Sequence, residues 1–380
     1  MKKLRVGVVG LGHRGRAMFS LAGHGFDCVE PAAACDILPH NFYEKQWLQD
    51  ASMAEQFPHC AFFESYDEML EKAELDAVIV ETGADIHAEF CAKALARDIH
   101  VLSDIPSVAT LAEAKMLWEA AERSRAILST GANPNEQKFT VLLQDYYQSG
   151  KLGKPYCMEA EYIHWSYFKS DEHVHLNENG DWRRLLVPIR YCTHSLGPLL
   201  AILEEELRLV SCFGTGLHAD DYPAGYSEKK DDMMCAQFMT DSGVIVRLMR
   251  NGRCRANIGH HNYRVFGTEG YMERIERSGK PVIRYNSTRE EYPQALLEVT
   301  GEFMPPAYAN NPRATGHGGM DFALLDHFFT ALLEGKPAPI PLRAGLAMTL
   351  PGIYAEASAR RGGEVLRMKY PWDDDFSTEI

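Results

Sequence analysis

The sequence predicts an α/β protein with two domains: a doubly wound parallel sheet at the N-terminus, followed by an α+β domain with a mostly antiparallel sheet. Two observations predict this fold class. Apolar strands alternate with helices over the first 130 residues, and runs of strands joined by turns follow them. The 380 residues, 46% hydrophobic and 24% charged, are ample for two hydrophobic cores. We place the domains at 1–132 and 133–380, and the C-terminal helix can pack back on the first domain.

A glycine-rich turn follows the first strand. The apolar run Leu4–Val9 leads directly into G-x-G-x-x-G and then into a helical stretch, which is the context that this motif requires. The first glycine makes a tight turn, the second lets the backbone approach a pyrophosphate, and the third lets the helix pack on the strand. The candidate cofactor-binding residues of this turn are Gly10, Gly12, His13, Arg14 and Gly15.

A carboxylate closes the second strand. Asp36 ends the run VEPAAACD, about 20 residues beyond Gly15, where a dinucleotide site has its ribose-binding acid. It would accept hydrogen bonds from the 2′- and 3′-hydroxyls and repel a 2′-phosphate. Taken singly, the glycines could form a plain turn and Asp36 could cap a helix. Together they predict a Rossmann domain that binds NAD rather than NADP.

The alternation of strands and helices continues after Asp36. A short strand at 62–63 and the apolar strands LDAVIVET, HVLSD and AILSTG are separated by helices. Such strands indicate a parallel sheet, whose ligands bind beyond the carboxyl ends of the strands. The residues expected on this cofactor rim are Thr82, Gly83, His87, Asp104, Pro106 and Asn133. His87 is equally compatible with an exposed position near a helix start.

Charge and cysteine content limit the partners and the compartment. The net charge of −14, without a basic patch, argues against nucleic acid and anionic membranes as partners. No run approaches about 18 apolar residues, so no transmembrane helix is expected. We interpret MKKLRVGVVGLG as a strand rather than a secretory signal. Nine scattered cysteines without a C-x-x-C pair fit reduced thiols in a cytoplasmic enzyme.

The second half changes pattern. A helix is predicted from residue 133 to a stop at Gly150, followed by a strand within KPYCMEAEYIHW. Later strands are LRLVSCFG, MMCAQFMT, GVIVRLMR, NYRVFGTEGYMER and PVIRYN, and Asp241-Ser242-Gly243 is a hairpin turn between two of them. Two helices end the chain, DFALLDHFFTALLEG and LRAGLAMTLPGIYAEASARRGG, the second interrupted at Pro351.

Two clusters in this half carry side chains suited to proton transfer. Tyr162 and His164 point to the same face of a strand, because the side-chain period is two, although such a pair can equally be aromatic packing on a helix. His194 is a candidate base because histidine titrates near neutrality. Arg190, four residues earlier, would share its helical face and is a candidate substrate-binding residue. The alternative for His194 is a satisfied core histidine.

A third cluster and a polar segment complete the candidates. Glycines flank His317 and let a ligand come close to it. Asp321 follows as a candidate substrate-binding residue, although it could instead begin or cap a helix. In the irregular segment after His164, aromatic rings could stack on sugars and arginines could bind hydroxyls or a carboxylate, with Trp182 and Arg183 as the candidates. A divalent metal site is the minority alternative, because its possible ligands have no tight spacing: Glu159, Glu161, His164, His173, His175 and His194.

These motifs together resemble the Gfo/Idh/MocA family, which includes glucose–fructose oxidoreductase and inositol dehydrogenase. The resemblance covers nearly the whole chain. It rests on the strand ending at Asp36 and on GVVGLGHRG, LDAVIVETGADIH, HVLSDIPSVAT, GKLGKPYCMEAEY, YRVFGTEGYMER and GKPAPIPLRAGLAM. It implies a Rossmann domain with NAD, a second domain with a large open sheet, and a homodimer or homotetramer formed through that sheet.

The chain departs from the ordinary dehydrogenases of this family. They have Glu-Lys-Pro where this chain has Asp104-Ile105-Pro106, and Ile105 cannot assist proton transfer as their lysine does. They also commonly have Asp-x-x-x-His where this chain has Arg190 and His194. A simple polyol dehydrogenase mechanism is therefore not expected to apply unchanged.

In lacking the lysine, the chain is similar to the NAD-dependent glycosidases of family 109. Residues 161–164, 193–198 and 317–321 also resemble motifs of that branch. This resemblance implies oxidation of the glycone at C3 by NAD⁺, removal of the acidified C2 proton, elimination of the aglycone, addition of water and reduction of C3. It assigns proton transfers to Tyr162, His164 and His194, with His317 nearby, and does not fix which residue moves which proton.

Three hypotheses of function follow. The first is a redox-neutral glycosidase, the second an oxidoreductase that stops at the 3-keto sugar or glycoside, and the third a non-catalytic sensor that binds NAD. The retained tyrosine and histidines argue against the sensor, because a sensor needs no proton carriers.

Overall fold

The computed structural model describes residues 3–45, 50–164, 187–218, 231–252, 261–277, 280–288, 297–300 and 306–380. The chain divides into two compact units. The first combines Met1–Glu136 with Met304–Leu346, and the second combines Gln137–Phe303 with Ala347–Ile380. No helix in the described ranges is both long enough and apolar enough to cross a membrane.

Fifteen strands lie in the described part of the chain, and they form two sheets. They are β1 (Leu4–Val9), β2 (Val29–Cys35), β3 (Ala61–Phe63), β4 (Ala77–Val80), β5 (His100–Ser103), β6 (Leu128–Thr130), β7 (Pro155–Ile163), β8 (Leu207–Gly214), β9 (Met233–Thr240), β10 (Ile245–Asn251), β11 (His261–Gly267), β12 (Gly270–Arg277), β13 (Lys280–Ser287), β14 (Leu297–Thr300) and β15 (Leu366–Arg367).

Helices separate most of these strands. They are α1 (His13–Gly25), α2 (His40–Tyr43), α3 (Met53–Gln56), α4 (Tyr66–Lys72), α5 (His87–Leu95), α6 (Leu111–Arg123), α7 (Lys138–Gln148), α8 (Thr193–Leu200), α9 (Met320–Glu334) and α10 (Leu342–Arg360). Short 3-10 turns occur at Asn133–Glu136, Pro188–Arg190, Pro306–Tyr308 and His317–Gly319.

The first unit contains a six-stranded parallel sheet in the order β3-β2-β1-β4-β5-β6. The predicted doubly wound sheet is thus confirmed. The four residues of β4 are all buried, as expected for a strand covered on both faces. The strand order reverses between β1 and β4, and ligands of such sheets bind at this reversal, beyond the carboxyl ends.

The second unit contains a nine-stranded sheet in the order β14-β13-β12-β11-β7-β10-β9-β8-β15. Only β7 and β10 pair in parallel and the other pairs are antiparallel, which confirms the α+β prediction. Buried and accessible residues alternate along β9, so one face lies against the core and the other is accessible. The predicted hairpin joins β9 to β10, and Gly243 takes its left-handed position with φ of +93°.

Residues 304–346 lie in the first unit, although the sequence analysis places them in 133–380. They include α9, which is buried around most of its circumference. Phe26, which follows α1, stacks on Phe322 of α9 at 4.5 Å between ring centroids and meets Phe329 edge-on at 5.2 Å. A helix with so little polar surface needs cover on several sides, and this packing supplies part of it.

Three local predictions need correction. The expected break at Pro351 is absent, because α10 continues through this proline, which removes one N–H donor without ending the helix. The stretch NYRVFGTEGYMER is not one strand but two, β11 and β12, paired in a hairpin. The helix expected from residue 133 starts as a 3-10 turn, and α7 begins only at Lys138.

Candidate active site

The glycine turn has the geometry of a phosphate-binding loop. Gly10 has φ of +88°, and a Cβ there would lie 2.6 Å from the Glu81 carbonyl oxygen. A Cβ on Gly15 would lie 1.8 Å from the Gly10 carbonyl oxygen, whereas one on Gly12 would meet no atom within 4 Å. Strand and helix therefore pack tightly at Gly10 and Gly15, and Gly12 leaves open space at the start of α1, where His13 is exposed. This arrangement fits a dinucleotide pyrophosphate.

The carboxylate of Asp36 is held against this turn. Its Oδ2 accepts a hydrogen bond from the Leu11 N–H at 2.6 Å, and its Oδ1 accepts one from the Leu38 N–H at 2.8 Å. The alternative of a helix cap is not observed, because α2 begins at His40 without a side-chain cap. Each carboxylate oxygen has a further lone pair, so Asp36 can still accept ribose hydroxyls.

Asp321 is a buried anchor beside the turn. Its Oδ2 lies 2.6 Å from Arg14 Nη1 and 2.8 Å from His317 Nδ1, and its Oδ1 accepts from Asn133 Nδ2 at 2.8 Å. Burial alone would raise the pKa of Asp321, but the hydrogen bond from His317 and the charge of Arg14 hold it well below its usual range. Four residues predicted separately for cofactor, substrate and proton transfer thus form one cluster in the first unit.

A pair of acids, Glu81 and Asp104, lies beside this cluster. Only Asp104 was predicted from the sequence. Glu81 follows β4 and Asp104 follows β5, and the two carboxyl groups interact electrostatically. Burial raises the pKa of Glu81 well above its usual range and the charge of Asp104 raises it further, while Arg14 opposes this. Arg14 Nε lies 3.9 Å from Glu81 Oε2. A signal was present: Glu81 is a charged residue directly after the buried run AVIV.

Among the remaining rim residues, His87 connects the loop after β4 to the loop after β5. His87 is buried, so the alternative of an exposed position is wrong. Its Nε2 lies 2.9 Å from the Thr82 carbonyl oxygen and its Nδ1 lies 3.0 Å from the Pro106 carbonyl oxygen. Ile105 is also buried, so the position of the family's lysine holds an apolar core side chain.

In the second unit the structure brings three of the predicted proton carriers together. The ring of Tyr162 lies 5.4 Å from that of His164 and 6.1 Å from that of His194, measured between centroids. Tyr191 Oη lies 3.2 Å from His194 Nε2, within hydrogen-bond distance. The Tyr263 hydroxyl donates to the His194 backbone oxygen at 2.7 Å, which fixes the start of α8. This arrangement can pass protons between phenol and imidazole groups.

Two further members of this cluster were not predicted. Arg250 on β10 and His261 on β11 each pair directly with Tyr162 on β7, so the three side chains form one cross-strand row on the face that α8 contacts. We call these three residues the inner row. The ring of His261 stacks on that of Tyr162 at 4.3 Å, and the guanidinium carbon of Arg250 lies 4.2 Å from the Tyr162 ring centroid. The available signal was an arginine at an inward position of an alternating strand.

Arg190 does not share a helical face with His194, and this prediction is wrong. Arg190 ends the 3-10 turn Pro188–Arg190, and α8 begins only at Thr193. Tyr191 has non-helical backbone angles, with φ of −93° and ψ of 58°, which separate the two elements. Arg190 instead forms an ion pair with Glu356 at 3.4 Å.

Two predicted substrate-binding residues, Trp182 and Arg183, lie outside the described residues. Within the ranges that the structure describes, no three histidine, cysteine, aspartate or glutamate side chains are arranged to hold a metal ion.

Comparison with known proteins identifies the first unit. Residues 4–132 match the family model GFO_IDH_MocA, described as an oxidoreductase family with an NAD-binding Rossmann fold. Two curated relatives are glycosyl hydrolase family 109 proteins. The one from Shewanella pealeana is 23% identical, over 94% of this chain and 83% of its own length. The one from Solibacter usitatus is 25% identical, over 94% of this chain and 86% of its own length.

A solved structure extends the likeness of fold to both units. Levoglucosan dehydrogenase, in complex with NADH and L-sorbose, has a TM-score of 0.77 over 97% of this chain and 100% of the other, at 17% identity. Residues 4–132 therefore match the NAD-binding Rossmann fold of the Gfo/Idh/MocA oxidoreductases, and the chain as a whole is similar in sequence to glycosyl hydrolase family 109 proteins.

Proposed function

We propose that this protein uses NAD to oxidise a hydroxyl group of a sugar or glycoside, at C3. The observation that carries the proposal is the cluster around Tyr162 and His194, which supplies proton carriers in a chain whose lysine position is occupied by Ile105. The names of its relatives and of its structural neighbour agree with a carbohydrate substrate.

NAD would be held by residues of the first unit. The open space at Gly12 and the N-terminus of α1 receive the pyrophosphate, and Asp36 accepts the ribose hydroxyls and disfavours NADP. When bound, the nicotinamide supplies the hydride acceptor. Arg14 is held by Asp321 and keeps its positive charge next to the turn, because Asp321, Asp104 and Glu81 more than offset the effect of burial on its pKa.

The chain's own task is to move protons. Removing a hydride from a carbinol carbon requires a base for the hydroxyl proton, and an imidazole or a phenolate can serve. His194 is oriented by two contacts, its backbone oxygen with the Tyr263 hydroxyl and its Nε2 with the Tyr191 hydroxyl. Such a fixed ring is suited to receive a proton from one direction.

Redox-neutral cleavage of a glycoside is the second candidate, and two observations favour it. Relatives aligned over 94% of the chain are glycosyl hydrolase family 109 proteins. In addition, simple oxidation needs one base, whereas the cluster holds several groups able to carry protons: Tyr162, His164, Tyr191, His194 and His261. Elimination across C1 and C2 of the 3-keto sugar would use a second base for the C2 proton and an acid for the aglycone oxygen that leaves C1.

Incubation with p-nitrophenyl glycosides separates the hypotheses. Release of p-nitrophenol without net NADH supports cleavage, and stoichiometric NADH without release supports a dehydrogenase that stops at the 3-keto product. If neither appears while NAD still binds, both catalytic proposals fail and a sensor remains.

Self-association through the nine-stranded sheet completes the proposal. On the face opposite the inner row, five directly paired residues alternate in charge across the strands, and we call them the outer row: Arg247, Glu159, Arg264, Glu273 and Arg284. Neighbours in this row form ion pairs of 3.0 to 3.8 Å. An alternating row can match a second copy of itself about a two-fold axis.

Light scattering tests this assembly. We expect a homodimer or homotetramer, and we expect Glu159→Lys, which places three cations side by side, to shift the population toward monomer. Glu122→Lys, on an exposed position of α6, is the matched control. A monomeric wild-type protein would remove the proposal.

A further inference from the structure

The inner row places a permanent cation against a buried phenol. Arg250, Tyr162 and His261 come from the adjacent strands β10, β7 and β11, and Arg250 and Tyr162 are both buried. Because paired residues of neighbouring strands stand side by side on one face, the order of the strands alone brings arginine and tyrosine together. A guanidinium stays protonated at any pH at which proteins are handled.

Backbone contacts keep the guanidinium in this place. Arg250 Nη1 donates to the carbonyl oxygens of Tyr162 and His164, each at 3.4 Å, and to that of Asn251. The side chain is thus tied to the end of β7, the strand that carries the phenol. Its guanidinium carbon lies 4.2 Å from the Tyr162 ring centroid.

We propose that Arg250 is a positioning residue that stabilises the phenolate form of Tyr162, and that Tyr162 is the base for the substrate hydroxyl. This rests on the proposed oxidation of a sugar hydroxyl. The step is a proton transfer only: the substrate O–H bond breaks, the proton goes to Tyr162 Oη, and the electron pair stays on the substrate oxygen.

Other titratable groups also face Tyr162 from every element packed against it in the described part of the second unit. They are His164 after β7, Tyr191 before α8, His194 in α8, and His261 and Tyr263 on β11. The imidazoles are ordinarily neutral above about pH 7, and the phenols can add only negative charge. Arg250 is therefore the group in this set that remains positive where a phenol titrates.

The ionisation of Tyr162 can be followed directly in the NAD-loaded protein. Absorbance near 295 nm reports phenolate as pH rises. We expect one phenol to titrate about 1–3 pH units below the ordinary midpoint near 10, because the charge of Arg250 against the Tyr162 ring favours the phenolate by more than burial disfavours it. Tyr162→Phe should remove this phase. Arg250→Gln should move it upward by about the same 1–3 units, and Arg250→Lys should restore part of it.

Arg247→Gln is the matched control, since Arg247 lies on the same strand, three residues away and on the opposite face. It should leave the early phase unchanged. The pH at which kcat/KM reaches its plateau should move with the phase in Arg250→Gln. A low-titrating phase that survives Tyr162→Phe, or one that is unaffected in folded Arg250→Gln, would overturn the inference.

The outcomes also separate this inference from the proposed function. If the phase behaves as expected but no sugar or glycoside is oxidised, the proposed function fails and the charge effect of Arg250 stands. If oxidation proceeds and wild-type protein has no low-titrating phenol, the inference alone fails. Should Arg250→Gln not fold, the difference between wild type and Tyr162→Phe still decides whether Tyr162 titrates early.

Discussion

The inner and outer rows of the nine-stranded sheet share three strands. Strands β7, β10 and β11 each supply one residue to the inner row and, three residues away, one to the outer row. Because side chains alternate with a period of two, this odd spacing turns the two residues to opposite faces. In the outer row each glutamate lies between two arginines at the edge of solvent, whereas in the inner row a buried arginine faces aromatic rings.

The difference shows that burial and neighbours decide what an arginine does. Burial tends to lower the pKa of Arg264 in the outer row, but Glu161 and Glu159 more than offset this and raise it. Charges that are neutralised in this way hold strands together and offer a surface for another molecule. In our proposals Arg250 in the inner row instead acts on a phenol, so the same residue type would serve assembly on one face and chemistry on the other.

The largest expected difference between the faces concerns turnover. His194→Ala removes an imidazole from the cluster around Tyr162 and should lower kcat by about 10²–10⁴-fold, the usual contribution of a positioned acid or base. The affinity for NAD should stay within about twofold, because the residues that fit NAD belong to the first unit. Steady-state kinetics and fluorescence titration with NAD measure the two effects.

His59→Ala, at an exposed histidine of the first unit, is the control for this comparison and should leave both quantities unchanged. Unaltered turnover in His194→Ala would remove His194 from the mechanism.

The next effect concerns the free energy of unfolding. Arg250→Gln removes a cation–π contact and hydrogen bonds from a charged donor in a buried setting, and should lower stability by about 2 kcal/mol. Arg247→Gln, whose side chain is 46% exposed, should lower it by less than about 1 kcal/mol. Urea denaturation of both variants tests this. Equal losses would mean that the two faces do not differ energetically.

The smallest expected effect is on the pH dependence of stability, through Glu81, a buried acid of the first unit. The folded-state pKa of Glu81 is raised, so its contribution to stability is present below the ordinary value of 4.5 and is lost as pH rises through the raised value. Glu81→Gln cannot ionise and should avoid this loss. We expect its melting temperature relative to wild type to rise with pH, by about 2–4 °C for each kcal/mol. A difference independent of pH would show that Glu81 is not held in its neutral form.

Local pattern was enough to predict the parallel sheet and the glycine turn of the first unit. The three glycines and Asp36 are close in sequence or at a fixed spacing, and each has a role that follows from backbone geometry alone. Glu81 was not predicted because its raised pKa depends in part on Asp104, which follows the neighbouring strand β5 and is more than twenty residues away in sequence.

The second unit was harder to predict because its chemistry depends on strand order. Tyr162 and His164 were found from a period of two within one strand. Arg250 and His261 join them only because β10 and β11 flank β7, and β10 does so in parallel, which no local pattern reveals. Arg190 was misplaced for a local reason: Pro188 starts a separate turn, and an i, i+4 spacing means nothing across a break between elements.

The close approach of Gly15 to the Gly10 carbonyl gives a way to separate NAD binding from the proposed binding of a carbohydrate. An added methyl group at position 15 would fall 1.8 Å from that oxygen, so Gly15→Ala must reshape the loop. This variant would not bind NAD but would keep every acid and base of the second unit. A sugar could then be titrated against it for hours without being consumed.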